Sequence, residues 1–565
     1  MERNFLDKSF KVTNWADLKP FFDNLLEREI NSKEELIAWL RDRSELEAVL
    51  SEDGAWRYIK MTCDTTDDKI RDHFNYFIQE IQPEIAPYSD KLNKKVMASA
   101  FLEEVAQLPG YNIMIRELKK DIEIFREENI PLQTELQTKS QEYGQISGAM
   151  SVELKGEEVT LQQAAVELQK TDRPWREEVY HKISTRRLLD RNKLDNLFNT
   201  LIGLRHQVAQ NAGFDNFRDY MFRAMGRFDY TPQDCFNFHE AITEEVVPFL
   251  DDFAKSRKTK LGIDALRPWD KAVDEESRKP LKAFDGGEDL LDKGIEVFNT
   301  TDTYLGECLS TMKEMGRLDL ESRKGKAPGG YNYPLAETGV PFIFMNATST
   351  LRDMVTLMHE GGHAVHAFLC DDLELNEFKS TPSEVAELAS MTMELISMDQ
   401  WQIYFPDKEE LIRAKREHLE QLIETLPWVA TIDKFQHWIY ENPKHTVDER
   451  ISNWQNIFDQ FSDTTTDWDK LELNKSYLWQ RQLHLYEVPF YYIEYGMAQL
   501  GAIAVWKNFK EDNQKGLAGY MKALKLGYTA TIPEIYEAAG IKFDFSREYI
   551  KELMTFVKAE LNSLE

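Results

Sequence analysis

Charged and apolar residues alternate at helical spacing through the first hundred or so positions, with few glycines to interrupt them. Ser32-Lys33-Glu34-Glu35-Leu36-Ile37-Ala38-Trp39-Leu40 opens on a cap residue and continues amphipathically, which predicts a helix. Residues 111–144 read as one long polar helix or a helical hairpin. Gly144 and Gly148 then lead into Met150-Ser151-Val152-Glu153-Leu154-Lys155-Gly156, whose alternation predicts a short β-hairpin. Helices resume near Thr160, and another helical stretch begins near residue 190. That position predicts a boundary between an N-terminal helical domain, 1–190, and a second domain, 191–565. No flexible linker, low-complexity block or internal repeat is evident.

One other region breaks the helical pattern. Gly325, Pro328, Gly329, Gly330 and Pro334 precede Val340-Pro341-Phe342-Ile343-Phe344-Met345-Asn346, predicting a loop that leads into a short strand. Thr350-Leu351-Arg352-Asp353 then has the form of a capping box opening a helix. The fold class expected is mainly α with a small β-sheet.

Composition narrows the function classes. The 565 residues carry 69 Lys+Arg against 99 Asp+Glu, a net charge of -30. Such a surface repels phosphate backbones and anionic lipid, so neither nucleic-acid nor membrane-surface binding is expected. Cys63, Cys235, Cys308 and Cys370 lie far apart without a Cys-x-x-Cys pair, which suggests neither a disulfide framework nor a thiolate zinc site. No apolar run approaches the ~18 residues of a membrane span. The opening Met1-Glu2-Arg3-Asn4-Phe5-Leu6-Asp7-Lys8 lacks the apolar centre of a secretory signal. A cytoplasmic protein is the expectation.

The helix after the capping box contains His359-Glu360-Gly361-Gly362-His363-Ala364-Val365-His366. His359 and His363 are four apart, so one helical turn sets both imidazoles on one face as two ligands of a tetrahedral ion. Glu360 is rotated away and suits a general base: zinc acidifies water, the glutamate removes a proton, and hydroxide attacks a polarised carbonyl. Gly361 and Gly362 each cost a helix about 1 kcal/mol relative to alanine. They leave room for a neighbouring element or for substrate. His366 lies seven residues beyond His359, about 10.5 Å along the axis, too far to share one ion; a supporting or core position is expected for it.

The third ligand must come from another helix, and Thr381-Pro382-Ser383-Glu384-Val385-Ala386-Glu387-Leu388-Ala389-Ser390 supplies two carboxylates. Thr381, Pro382 and Glu384 have the spacing of a capping box, which gives Glu384 a local role. Glu387 sits one turn further in among small apolar residues, where a carboxylate needs a partner such as a metal. Glu394, on the same face, is placed to orient a ligating histidine. Near the C-terminus, Tyr491, Tyr492 and Tyr495, with His484 upstream, could donate hydrogen bonds to a developing oxyanion or form an aromatic core face.

His359-Glu360-Gly361-Gly362-His363 followed by Glu387-Leu388-Ala389-Ser390 resembles the thimet oligopeptidase family, in its oligoendopeptidase F branch. Thr171-Asp172-Arg173-Pro174-Trp175-Arg176, Leu266-Arg267-Pro268-Trp269-Asp270 and Pro489-Phe490-Tyr491-Tyr492-Ile493-Glu494-Tyr495 are similar to further segments of that branch. The likeness covers about residues 150–565, with a general helical similarity before that. It implies a helical shell around a deep channel, an N-terminal domain of the oligoendopeptidase type, one zinc ion per chain and cleavage of short peptides. It also implies that the strand Phe342–Asn346 borders the cleft and pairs with substrate backbone. Gly329-Gly330-Tyr331 would be a substrate loop or an ordinary connection. Two other readings compete: a zinc carboxypeptidase, for which no cationic anchor is evident, and a peptide-binding protein with a relict metal site. The oligomeric state is open.

Overall fold

The computed structural model describes residues 3–327 and 329–564; Met1, Glu2, Pro328 and Glu565 lie outside the described residues. Ser32 caps the helix Lys33–Cys63 by accepting a hydrogen bond from the Glu35 amide. The 111–144 stretch forms a hairpin of two helices, Tyr111–Ile124 and Asn129–Gly148. Strands β1 (Ser151–Leu154) and β2 (Glu157–Thr160) pair antiparallel. Lys155 and Gly156 turn the chain between them with φ of 55° and 86°. Thr160 ends β2 and caps the next helix in a box with Gln163.

Apolar side chains gather into two large cores. One joins residues from Leu6 to Leu118 with Leu375 and Phe378, while the other runs from Tyr143 to Leu561. Two of the segments that carried the family likeness dock on each other. Arg173 and Arg176 both donate to the buried Asp270 carboxylate, at 2.8–3.0 Å. Two guanidinium groups on one desolvated carboxylate make a rigid joint whose partners cannot be removed singly without exposing a buried charge.

The second sheet has three strands: β3 (Leu318–Glu321), β4 (Tyr331–Tyr333) and β5 (Phe342–Ala347). Their order is β3-β5-β4, with β5 parallel to β3 and antiparallel to β4. This corrects the expectation that Phe342–Asn346 pairs with substrate. β5 is central, and β4 already occupies the edge of Phe342–Phe344; strand addition needs a free edge, and of the two outer strands β4 is the one tied to the histidine helix. Side chains follow suit. Phe342 is buried and meets Trp56 edge to face with ring centroids 5.8 Å apart, and Tyr331 stacks on Phe344 at 4.8 Å between centroids. The Tyr331 hydroxyl is 2.6 Å from Thr62 Oγ1. Both aromatic side chains therefore knit the sheet to the helix Lys33–Cys63.

Candidate active site

The histidine helix spans Leu351–Cys370 and opens on a full capping box: Asp353 N donates to Thr350 Oγ1, and Thr350 N donates to Asp353 Oδ2. The glutamate helix, Ser383–Ile396, packs against it. The paired glycines set how closely. A Cβ on Gly362 would lie 2.7 Å from Ser390 Cα and 2.8 Å from Ala389 O, on the glutamate helix. A Cβ on Gly361 would lie 2.5 Å from the ring of Phe298. Both glycines thus serve helix packing, and the close approach at Gly362 brings Glu387 beneath the histidines.

Glu387 Oε2 lies 3.3 Å from His359 Nε2 and 3.7 Å from His363 Nε2. One ligand atom from each of the three residues falls within 4.8 Å of the other two. The Glu387 side chain is almost wholly buried, whereas His359 and His363 are 20% and 19% exposed, so the cluster is open on one side. Ser390 Oγ donates to Glu387 Oε2 at 3.1 Å and Glu394 Oε1 is 2.6 Å from His359 Nδ1. That second contact fixes the ring and leaves Nε2 for a cation.

The electrostatics favour positive charge at this point. Burial opposes a proton on His359, yet Glu387 and Glu394 raise its pKa well above the ordinary value. Burial dominates at His363 and lowers it to about 4. Glu387 is held at about 2 despite its burial, chiefly by the two imidazoles. Two imidazole nitrogens and an ionised carboxylate at this spacing fit a divalent metal of the zinc class. Glu360 is buried beside them, and burial pushes its carboxyl up to about 7.

The aromatic cluster separates into unequal members. Tyr491 donates to Glu387 Oε1 at 2.8 Å. The Tyr495 hydroxyl is 3.4 Å from His484 Nε2, and its ionisation is opposed first by burial and then by Glu387 and Glu360. Tyr492 packs its ring on His484 and Tyr495, at 4.8 and 5.3 Å between ring centroids. Burial lowers His484 to about 4, so it is neutral near pH 7.

A further expectation changes, for Glu384, and the two positions expected for His366 narrow to one. Glu384 does not cap its helix: that helix starts after Pro382 with no side-chain cap, and the buried Glu384 carboxylate accepts from Tyr230 at 2.6 Å. A proline at the cap position has no side-chain acceptor, and a partner 154 residues away claims the carboxylate instead. His366 is buried in the core with Nε2 unpartnered, and burial lowers it to about 3; no hydrogen bond links it to the three clustered residues.

On the sheet side, Gly330 comes close to the base, since a Cβ there would lie 3.9 Å from Glu360 Oε1. Gly329 adopts φ of 101° with open space around it. Asn332, which sequence reading passed over, donates to the Glu360 carbonyl at 3.3 Å and ties β4 to the histidine helix. Ser390 was visible in the Glu-x-x-Ser run, but its bond to Glu387 needed coordinates. Asn332 had no sequence signal.

A helix-borne histidine pair beside a buried glutamate, with a carboxylate from a second helix, is the architecture of a helical metallopeptidase. The chain belongs to peptidase family M3: the family model matches residues 166–555, and the peptidase M3 N-terminal domain matches residues 5–125. Curated relatives include an oligoendopeptidase F homolog of Borreliella burgdorferi, 25% identical over 64% of this chain and 60% of its own length. Oligopeptidase PepF of Bacillus subtilis is 22% identical over 58% of this chain and 50% of its own. The matched part thus spans 60% or less of these two relatives' lengths. Among solved structures, PZ peptidase A with an inhibitor superposes with a TM-score of 0.92 at 25% identity, covering 99% of both chains. Oligoendopeptidase F from Enterococcus faecium gives 0.66 at 15% identity over 97% of both, a likeness of fold. No helix among the described residues is long and apolar enough to cross a membrane.

Proposed function

We propose that the protein is a zinc-dependent endopeptidase acting on short oligopeptides, holding one catalytic ion through His359, His363 and Glu387. The convergence of these three ligand atoms beside buried Glu360 carries the reading. When bound, zinc supplies Lewis acidity, lowering the pKa of water and polarising the scissile carbonyl. Glu360 removes the proton from the attacking water. Its raised pKa then suits it to deliver that proton to the leaving amine. Tyr495, unclaimed by Glu387 and backed by His484, donates to the developing oxyanion; Tyr491 instead steadies Glu387.

The exposed edge of β4 supports an extended substrate pairing there, with Gly329 and Gly330 leaving space for its backbone beside Glu360. In this reading, residues 1–190 form a helical domain that walls the cleft, and 191–565 form the catalytic domain. The N-terminal contacts to the β4–β5 region favour that division of labour. A cytoplasmic location fits a peptide-processing role and four unpaired cysteines.

Replacing Glu360 with Gln tests the mechanism. Zinc content should be retained while hydrolysis of a fluorogenic peptide falls by several orders of magnitude; activity near wild type would sink the assignment. Chelation should abolish turnover and added zinc should restore it. C-terminally amidated peptides distinguish a carboxypeptidase, because an endopeptidase still cuts them internally.

A further inference from the structure

A second cluster of ligating side chains lies where the helix Pro232–Glu245 meets the long helix Lys408–Glu441. Cys235 and His239 are four apart on the first helix, and Asp433 and His437 are four apart on the second. Each pair therefore shares one helical face. Packing of the two helices brings Cys235 Sγ, an Asp433 carboxylate oxygen and a His437 ring nitrogen within 4.8 Å of one another. His239 Nε2 lies 2.8 Å from Asp433 Oδ2. None of the four side chains is more than 2% exposed.

The hydrogen bonding in this cluster is incomplete. Asp433 Oδ1 and both ring nitrogens of His437 have no hydrogen-bond partner, although His437 Nε2 comes within 3.3 Å of Asp433 Oδ2. A buried imidazole whose Nδ1 has no partner and whose Nε2 has only a 3.3 Å ion-pair contact, close to both a carboxylate and a thiol, is out of place in a helix interface that apolar residues would fill at less cost. The neighbouring cation, Arg227, makes no hydrogen bond to this cluster: only its Nη2 is bonded, and its Nε and Nη1 have no partner. It donates to Glu494 Oε1 at 2.8 Å and to the Phe490 carbonyl.

We infer that Cys235, Asp433 and His437 hold a second, structural metal ion of the zinc class, with His239 bracing the Asp433 carboxylate. A thiolate and a carboxylate together neutralise a divalent ion, so the filled site is uncharged in a dry interior. The sulfur, nitrogen and oxygen donors suit zinc and disfavour magnesium or calcium. The absence of a Cys-x-x-Cys pair did not forbid such a site, because Asp433 and His437 come as an i, i+4 pair on one helix and Cys235 comes from another. Its position is consequential. Gln436, next to His437, accepts from the Phe490 amide at 2.7 Å, and Phe490 directly precedes Tyr491. An ion here fixes the long helix beneath the turn that presents Tyr491 to Glu387.

Metal analysis of the purified full-length protein, followed by cobalt(II) substitution, tests the inference without reading activity. Wild type should carry two zinc ions per chain. The cobalt form should show a thiolate-to-cobalt charge-transfer band, which the sulfur-free set His359, His363 and Glu387 cannot produce. A His359→Ala/His363→Ala protein should keep one ion and the band, whereas Cys235→Ser should lose the band. One ion per chain without the band in wild type overturns the proposal, and so does a band that survives Cys235→Ser. If Cys235→Ser does not fold, the histidine double variant decides alone: one ion with the band supports the site, and no band refutes it.

Discussion

Tyr491 and Tyr495 stand one helical turn apart in the same cluster, yet their hydroxyls answer to different partners. Tyr491 is bonded to Glu387, while Tyr495 reaches toward His484 at 3.4 Å. Removing each hydroxyl should therefore act on a different quantity. If Tyr495 has the proposed oxyanion role, Tyr495→Phe should lower kcat by about 10²–10³ with KM little changed, because it would delete a donor to the transition state. Tyr491→Phe should instead weaken zinc binding by about 10–100-fold, with turnover recovered in excess zinc. Steady-state kinetics across a zinc titration separates the two, and the reverse pattern would exchange their roles. Sequence reading grouped Tyr491, Tyr492 and Tyr495 without ranking them. Ranking needs the direction of each hydroxyl, which depends on how the segment after Pro489 turns. There Phe490 adopts φ of 68°, a left-handed conformation with no sequence signal in a non-glycine residue.

At the scale of elements, the separation of the histidine and glutamate helices is set by Gly362. Gly362→Ala drives a methyl group into the backbone of Ala389 and Ser390, which cannot yield as a side-chain tip would. A stability loss of about 1–3 kcal/mol is expected, with zinc affinity falling as Glu387 is pushed from the histidines. Equal zinc affinity in the variant, measured by chelator competition, would show that the two helices do not set the ligand geometry. The sheet has its own anchor. Arg323 and Lys326 donate to Asp319 on β3 at 2.6–2.8 Å, and Lys326 also reaches the Met345 carbonyl of β5. Burial raises the Asp319 pKa, but these hydrogen bonds prevail and hold it at about 2. A carboxyl depressed on folding stabilises above its unfolded pKa of about 4, and that contribution is lost as pH falls through 4 toward 2. Asp319→Asn should cost about 2 kcal/mol at pH 7. Its melting temperature should then converge on that of wild type as the pH is lowered through this window. A constant difference would remove ionisation as the cause. The local elements were legible: the Thr350 capping box and the 151–160 hairpin are written in contiguous residues. β3 was not, because its parallel partner lies across the glycine-containing loop and only long-range pairing makes four residues of mixed polarity a strand. The capping reading of Glu384 failed for a similar reason, since its partner Tyr230 is distant in sequence.

Across the whole molecule, the N-terminal helices reach the connection between β4 and β5, and one buried carboxylate organises the contact. Glu52, on the helix Lys33–Cys63, accepts from the Glu337 amide at 2.9 Å, the Thr338 amide at 2.7 Å and the Thr338 hydroxyl. Trp56 on the same helix adds a longer bond at 3.3 Å and packs against Phe342. Hydrogen bonds to a charged acceptor contribute about 1.5–3 kcal/mol each, and a carboxylate can accept them all at once. Glu52→Gln is nearly the same shape, but its amide nitrogen must face donors that it cannot satisfy. The substitution should cost about 2–3 kcal/mol and loosen the segment 334–341, which joins the edge strand β4 to the central strand β5. β4 lies against the histidine helix through Asn332, so a freed connection blurs the substrate edge while leaving His359, His363 and Glu387 in place. KM for oligopeptides should rise several-fold with kcat and zinc content close to wild type, and limited proteolysis should begin within 334–341. A fall in kcat or zinc content with KM unchanged would mean that the N-terminal half braces the metal helices instead. The substrate edge would then owe its position to the sheet alone.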